Sequence, residues 1–268
     1  LVGSEMCIET GAYCHNPETW DLTGGTPHTA EDLCKTILRY RPYFGENGGV
    51  TVSGGEPLLQ PEFVAELFRR LHEHNIHTAL DTAGAGDLSR AKQVLKHTDL
   101  VLCDIKFPTE AQYKAHCGGS LQHTVDFMRL TESMHIPLWV RHVVAPGLSD
   151  TVESLRAVKA LAESFSNLEK IEWLPFKNIC AAKYKTLHIP FPMGDKPSFS
   201  QSHVEALFQS YNFIQKGCPA LCRAAFSFSS LFPFWFRFIQ FFEKFTILIV
   251  EATRFYSIIK MIFVQPPH

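Results

Sequence analysis

The sequence predicts an α/β fold, a parallel sheet whose strands are joined by crossover helices, open or barrel-like. Three observations predict it. From about residue 28 to 213, strand-like apolar runs alternate with segments of helical period. Five strand segments can be counted, too few for a full eight-stranded barrel. Polar side chains gather where those strands end, at 53–56, 81–82, 104–106 and 141–142, and folds of this kind bind their ligands at that end.

The elements follow in order. Within "PHTAEDLCKTILRYRPYF" (27–44), Thr29 can cap a helix with Asp32 three residues on, and Leu33, Ile37, Tyr40 and Phe44 mark its apolar face. "GGVTVSGG" (48–55) reads as a short buried strand ending in glycines. "PEFVAELFRRLHEH" (61–74) starts on proline and repeats apolar residues at 63, 64, 67, 68 and 71, a helical period. Strand 76–82 is followed by helix 88–96, strand 99–107 by helix 121–134, and strand 137–147 by helix 151–164. Strand 168–176 and helix 200–213 close the series.

With 268 residues, 46% of them hydrophobic, the chain can build one sizeable core. A net charge of −2 leaves no basic stripe for nucleic acid, so a small molecule or another protein is the expected partner. The eight cysteines are dispersed, and residues 1–13 lack the apolar run of a signal peptide. The chain is therefore expected in the reducing cytoplasm, where clustered thiols serve metals more often than bridges. It begins at Leu1, which reads as a missing natural start.

Two cysteines flank a glycine in "MCIETGAYCHNPETW" (6–20): Cys7, Gly11, Cys14. "SGGEP" (53–57) follows a strand, and its glycines let the backbone approach a ligand while Glu56 can accept from an amine. It is no nucleotide P-loop, because no Lys-Ser/Thr follows. Asp104 and Lys106, two apart, share a strand face, which suits a salt bridge. His72, His74 and His77 in "HEHNIH" read as a solvated helix end before a zinc site. Cys34, Cys103, Cys117 and Cys180 read as core or incidental thiols.

Taken together, "YCHNPETW", "SGGEPLLQ", the Asp-Ile-Lys of 104–106 and "RHVVAPGLSD" resemble the radical S-adenosylmethionine (SAM) enzymes, and within them the pyruvate formate-lyase activating family. The pieces occur in that family's order and roughly its spacing, from about Tyr13 to Phe213. The resemblance implies a partial parallel (β/α) barrel whose first strand is missing here, over residues 1–217. It implies a [4Fe–4S] cluster on a CxxxCxxC loop, SAM on the cluster's open iron, and a 5′-deoxyadenosyl radical that takes a hydrogen from a glycine of the partner enzyme. By the same resemblance, Cys7 and Cys14 are cluster ligands. Tyr13, His15, Gly54, Gly55, Glu56, Asp104, Ile105 and Lys106 line the SAM site, with Lys106 facing the SAM carboxylate. Asp81, Thr82 and Asp104 make an oxygen-rich site for a monovalent cation. The partners implied are the glycine-bearing loop of pyruvate formate-lyase and a flavodoxin-type electron donor. The short span from "YCHN" to "SGGE" leaves no room for the extra ferredoxin-like insert of other glycyl-radical activases.

The chain departs from the pattern at Gly11, where the second cluster cysteine belongs. A second register, matching "LVGSEM" to the family and placing Ser4 at the first ligand, also lacks a full set. The first dozen residues are thus expected to differ from those of a working activase. A catalytically impaired remnant that binds only SAM or partner is the alternative reading; a thiol or zinc protein using Cys7 and Cys14 ranks last.

From 218 to 268 the composition breaks. Half of the 22 phenylalanines follow residue 218, and Arg237, Glu243 and Lys244 keep any apolar run below a membrane span of ~20 residues. This segment reads either as an amphipathic, membrane-seeking tail or as non-native, disordered sequence; the abrupt break favours the second. Cys218 and Cys222 within it read as incidental.

Overall fold

The computed structural model describes residues 11–20, 26–45 and 48–215, the last few (210–215) as backbone only. Cys7, Ser4, Cys218, Cys222 and the Phe-rich segment lie outside the described residues. Five strands form one sheet in the order β1 (Gly49–Val52), β2 (His77–Thr82), β3 (Leu100–Asp104), β4 (Leu138–Val144), β5 (Leu168–Pro175), every pair parallel. Strand order equals chain order. The alternation read from the sequence is therefore a run of consecutive crossovers, a partial (β/α) barrel.

The helices are α1 (Ala30–Leu38), α2 (Pro61–Glu73), α3 (Leu88–Leu95), α4 (Glu110–His116), α5 (Leu121–Ser133), α6 (Val152–Ala162), α7 (Ala181–Thr186) and α8 (Gln201–Gln215). Their starts follow from side-chain chemistry. Thr29, Asp87, Thr109, Ser120 and Thr151 each accept a hydrogen bond from a backbone N–H two or three residues on. Pro61 opens α2, where a missing N–H costs nothing. Tyr40 and Phe44, expected on the face of α1, lie beyond its end, but Phe44 still reaches the core.

One face of the sheet meets the helices. Val50, Val52, Leu80, Val101, Cys103, Leu138 and Val140 pack there with Leu67, Phe68 and Leu71 of α2, Val94 of α3 and Phe127 of α5. Each such side chain contributes roughly 1.5–3 kcal/mol by leaving water. Residues of the other parity, Ala79, Leu102 and Trp139, face away from them and form a smaller cluster with Leu100. Beyond this cluster, towards the strand C-termini, the same parity carries Ser53, Asp81, Asp104 and Arg141. The sheet thus delivers four polar side chains to one end of one face.

A third cluster seals that end: Tyr13, Phe107, Tyr113, Cys117, Ala145, Phe176 and Met193. The three histidines of 72–77 do not act together. His72 Nε2 lies 3.0 Å from Asp99 Oδ2 and 3.1 Å from Thr78 Oγ1, pinning the end of α2 to β2, while His74 and His77 are exposed.

Candidate functional site

The strand ends carry a chain of charges. Arg141 bridges two carboxylates: its Nε donates to Asp104 Oδ1 at 2.9 Å and its Nη2 to Asp81 Oδ1. Asp104 and Arg141 are register partners across β3 and β4, so the ladder itself sets this pair. Ser53 Oγ donates to Asp81 Oδ2 at 2.8 Å, and Lys106 Nζ to Asp104 Oδ2 at 2.6 Å. Burial pushes the Asp81 carboxyl up even beside Arg141. At Asp104 burial also acts upward, but Arg141 and Lys106 outweigh it and hold that carboxyl well below the usual range. Arg141 is held firmly charged by the two aspartates despite its burial.

Lys106 lies just past the end of β3, so the shared strand face expected of Asp104 and Lys106 continues one step beyond the strand. Its backbone is gripped from two sides. Its N–H donates to Tyr113 Oη at 2.9 Å, and its carbonyl accepts from Tyr13 Oη at 3.1 Å. Tyr113 comes from α4, which the sequence reading passed over although Thr109 and Gln112 carry the spacing of a capping box.

Glu56 points to the other face of the sheet and is 6% exposed. Its Oε1 accepts from Leu58 N–H at 3.0 Å and from the Thr82 hydroxyl at 2.6 Å; its Oε2 accepts from Ala83 N–H at 2.9 Å. Burial raises its pKa, and the Thr82 hydroxyl and these amides oppose the rise. Glu56 therefore ties the glycine turn after β1 to the loop after β2. Gly54 in that turn has φ +140°, open to glycine, so its backbone stands bare at the surface of the site. In the loop after β2, Gly84 has φ +73° and a Cβ there would stand 2.9 Å from the Phe127 ring, so only glycine lets α5 approach.

The structure brings Ser53, Asp81, Asp104, Lys106 and Arg141 together and separates Thr82 and Glu56 from them by side-chain direction. Of the three residues expected around a monovalent cation, the two carboxylates share Arg141 while the Thr82 hydroxyl serves Glu56. His142 also turns to the helix face. Its Nδ1–H donates to Ile105 O at 2.6 Å, its Nε2 has no hydrogen-bond partner among the described residues, and it lies edge-on to Trp173. Burial lowers its pKa to about 4.

The cysteine loop, residues 11–20, sits against this end. Tyr13 packs on Phe107 with ring centroids 5.9 Å apart, and Ala12 N–H donates to His116 O at 3.0 Å. Its other wall is the segment around α7. His15 Nε2–H donates to Lys177 O at 2.9 Å, and Tyr184 Oη donates to Cys14 O at 3.1 Å. Lys183 Nζ donates to His15 O at 3.1 Å, Asn16 Oδ1 at 3.2 Å and Glu18 Oε1 at 2.5 Å. No local sequence signal announces Lys183 or Tyr184; their role arises from contacts spanning some 170 positions.

What could such a site hold? The backbone of the glycine turn and the Lys106 ammonium, paired with Asp104, offer polar contacts to a small molecule at the strand ends. A metal cluster is another matter. Within the described part of the loop, Cys14 is the one thiol and Gly11 has no side chain. Among the described residues no three His, Cys, Asp or Glu side chains stand as a ligand set. A cube of iron and sulfide needs three thiolates to leave one iron open, so the described loop residues do not fit it by themselves.

Comparisons with known proteins meet this geometry. A family model described as the radical SAM superfamily matches residues 4–158. The pyruvate formate-lyase-activating enzyme of Clostridium pasteurianum is 43% identical over 185 residues, which cover 69% of this chain and 77% of that protein. Its counterpart in Staphylococcus aureus (strain USA300) is 38% identical over 221 residues, 80% of this chain and 88% of that protein. Among solved structures, Streptococcus suis SuiB bound to precursor peptide SuiA is similar in fold, with a TM-score of 0.59 at 10% identity over 78% of this chain and 44% of that one.

Proposed function

Because this chain belongs to the radical SAM superfamily and, within it, to the pyruvate formate-lyase-activating enzymes, we propose that it generates a glycyl radical on a pyruvate formate-lyase, with SAM as the radical's source. Family membership brings SAM and a [4Fe–4S] cluster, and the cluster's chemistry when bound is one-electron reduction. What this chain's own residues do is bind and orient. The Gly54–Gly55 backbone receives the SAM amino group. Lys106 takes its carboxylate, and Tyr13, His15 and Ile105 border the site, joined by the Tyr13–Lys106 and His142–Ile105 hydrogen bonds. Glu56 acts as the brace that fixes the glycine turn. A monovalent cation in this reading draws on Asp81 and Asp104 and shares them with Arg141.

The observation that carries the proposal is the hydrogen bond from Tyr13 Oη to Lys106 O, 93 residues apart. It joins the cysteine loop to the Asp-Ile-Lys segment at the ligand-binding end of the sheet. A glycine-bearing loop of the partner, an external flavodoxin-type donor and a cytoplasmic setting complete the proposal, with residues 1–217 as the working domain. No helix among the described residues is long and apolar enough to cross a membrane.

One observation favours a second reading. Gly11 stands where the family's loop carries a thiol, and an incomplete loop would leave a chain that binds SAM or partner without activating it. The test is anaerobic incubation of the iron- and sulfide-treated protein with SAM, a strong reductant and pyruvate formate-lyase. A SAM-dependent glycyl radical signal on the partner supports the activase. SAM binding by calorimetry with no radical and no 5′-deoxyadenosine supports the remnant.

A further inference from the structure

We propose that Lys183 is a positioning residue for the radical reaction: its ammonium group clasps the cysteine loop and holds the His15 end of that loop at the SAM site. The proposal rests on the reading that SAM binds at the strand ends. The clasp itself is made of this chain's own hydrogen bonds.

An ammonium group carries three N–H donors. Lys183 Nζ directs them at three oxygens of one short stretch: His15 O at 3.1 Å, Asn16 Oδ1 at 3.2 Å and the Glu18 carboxylate. That stretch lies 165 to 168 positions away in the chain. His15 is held a second time, because its ring Nε2–H donates to Lys177 O at 2.9 Å. Backbone and ring of His15 thus both rest on the segment 177–184. Tyr184, 1% exposed, adds a bond from Oη to Cys14 O at 3.1 Å. Its ring stacks on Phe191 with centroids 4.4 Å apart and meets Trp20 edge-on at 5.8 Å. Next to Cys14, Tyr13 Oη donates to Lys106 O at 3.1 Å. The loop therefore spans from the α7 segment to the Asp-Ile-Lys segment, and Lys183 holds the first of those two ends.

Ordinary lysine roles do not account for this placement. Lys35, Lys114 and Lys159 pair with glutamates four residues away on their own helices, an arrangement that contributes little. Lys185 stands exposed in the last turn of α7, where a cation complements the helix dipole. Lys183 turns across to the loop instead. Its side chain is half-buried and that of Glu18 is more buried still, so the pair is partly shielded from water and salt. Fixing a flexible four-carbon stem costs rotamer entropy, which three hydrogen bonds made at once offset. The gain is preorganisation. With the clasp in place the loop meets SAM already ordered; without it, SAM binding must order the loop. Such a loss weakens binding and leaves turnover of bound SAM alone.

The test titrates SAM by calorimetry into the full chain after anaerobic treatment with iron and sulfide, in wild type, Lys183→Met, Lys183→Arg and Lys185→Met. The rate of glycyl radical formation on pyruvate formate-lyase is followed over the same SAM concentrations, and amide exchange of residues 12–18 is read without SAM. Lys183→Met is expected to bind SAM about tenfold more weakly, with KM raised to match and kcat within about threefold of wild type. Residues 12–18 exchange faster in that variant while the five strands stay protected, which shows that the fold survives. Lys183→Arg keeps a cation with several donors and recovers most of the affinity. Lys185→Met behaves as wild type. If Lys183→Met loses strand protection as well, Glu18→Gln, which removes only the charge partner, carries the same comparison. Unchanged SAM affinity overturns the proposal and leaves the activase reading intact. So does a fall in kcat with KM unchanged, or an equal loss in Lys185→Met, which would make the effect one of surface charge. The expected pattern of SAM binding with no radical formed by wild type supports the clasp and overturns the activase reading. No SAM binding by wild type overturns both.

Discussion

At the strand ends, Asp81, Asp104 and Arg141 hang from β2, β3 and β4, whose register is fixed by backbone ladders. The cysteine loop has no such ladder. Its described hold on the rest of the molecule runs through Tyr13 on Phe107 and Lys106 O, Ala12 N–H on His116 O, Trp20 edge-on to Tyr184, and the hydrogen bonds of His15, Lys183 and Tyr184. One region is a charge network built into the sheet, and its cost would fall on the whole fold if it were broken. The other is a docked strip whose loss would stay local. Gly11, where one register of the sequence expects a cluster thiol, falls in the second region. A loop held this way can change without threatening the sheet.

The sharpest way to break the contrast is at its centre. Arg141→Met leaves the buried Asp81 carboxylate without its cation and Asp104 with Lys106 alone, and is expected to cost about 3 kcal/mol of global stability, read from urea unfolding. Adding Asp81→Asn and Asp104→Asn should recover most of that loss. A triple variant as weak as the single one would show that packing, not charge, is what Arg141 supplies.

Next in size is a pH effect at the same sheet end. His142 has a folded pKa of about 4 against an ordinary 6.5. Below pH 6.5 the unfolded chain takes a proton that the folded chain refuses, so stability falls as pH drops from 6.5 to 4. The difference is about 3 kcal/mol. His142→Leu should flatten that part of the stability curve relative to wild type; parallel curves would refute the assignment.

Glu56→Gln is expected to cost about 2 kcal/mol, because the new NH2 group meets a site where both oxygens accept from donors. Its loss should appear in global unfolding and as a weaker grip on SAM. The smallest effect belongs to the loop: Tyr184→Phe removes one hydrogen bond to Cys14 O, about 1 kcal/mol. Here amide exchange in residues 12–18 should rise while the strands stay protected. Equal acceleration in β3 and β4 would mean that the loop and the sheet unfold together after all.

Much of this was legible beforehand, for identifiable reasons. The five strands and the helices at 61–74, 88–96, 121–134 and 151–164 announce themselves through period and caps, which are local. Parity alone pairs Asp104 with Lys106. α4 carries a usable signal in the Thr109–Gln112 spacing. α7 carries almost none, because a six-residue helix has little period.

By itself, then, the sequence determined the alternation, the parallel sheet, the end at which polar side chains collect, and the motifs of the radical SAM family. These depend on neighbours within a few residues or on matched patterns. Only the tertiary structure decided that Arg141 spans Asp81 and Asp104, that Thr82 turns from them to Glu56, and that Lys183 and Tyr184 come to lie against the loop at Cys14 and His15. Register across strands and the docking of one loop on a segment some 165 residues away set these pairings, and no local pattern in the chain encodes either.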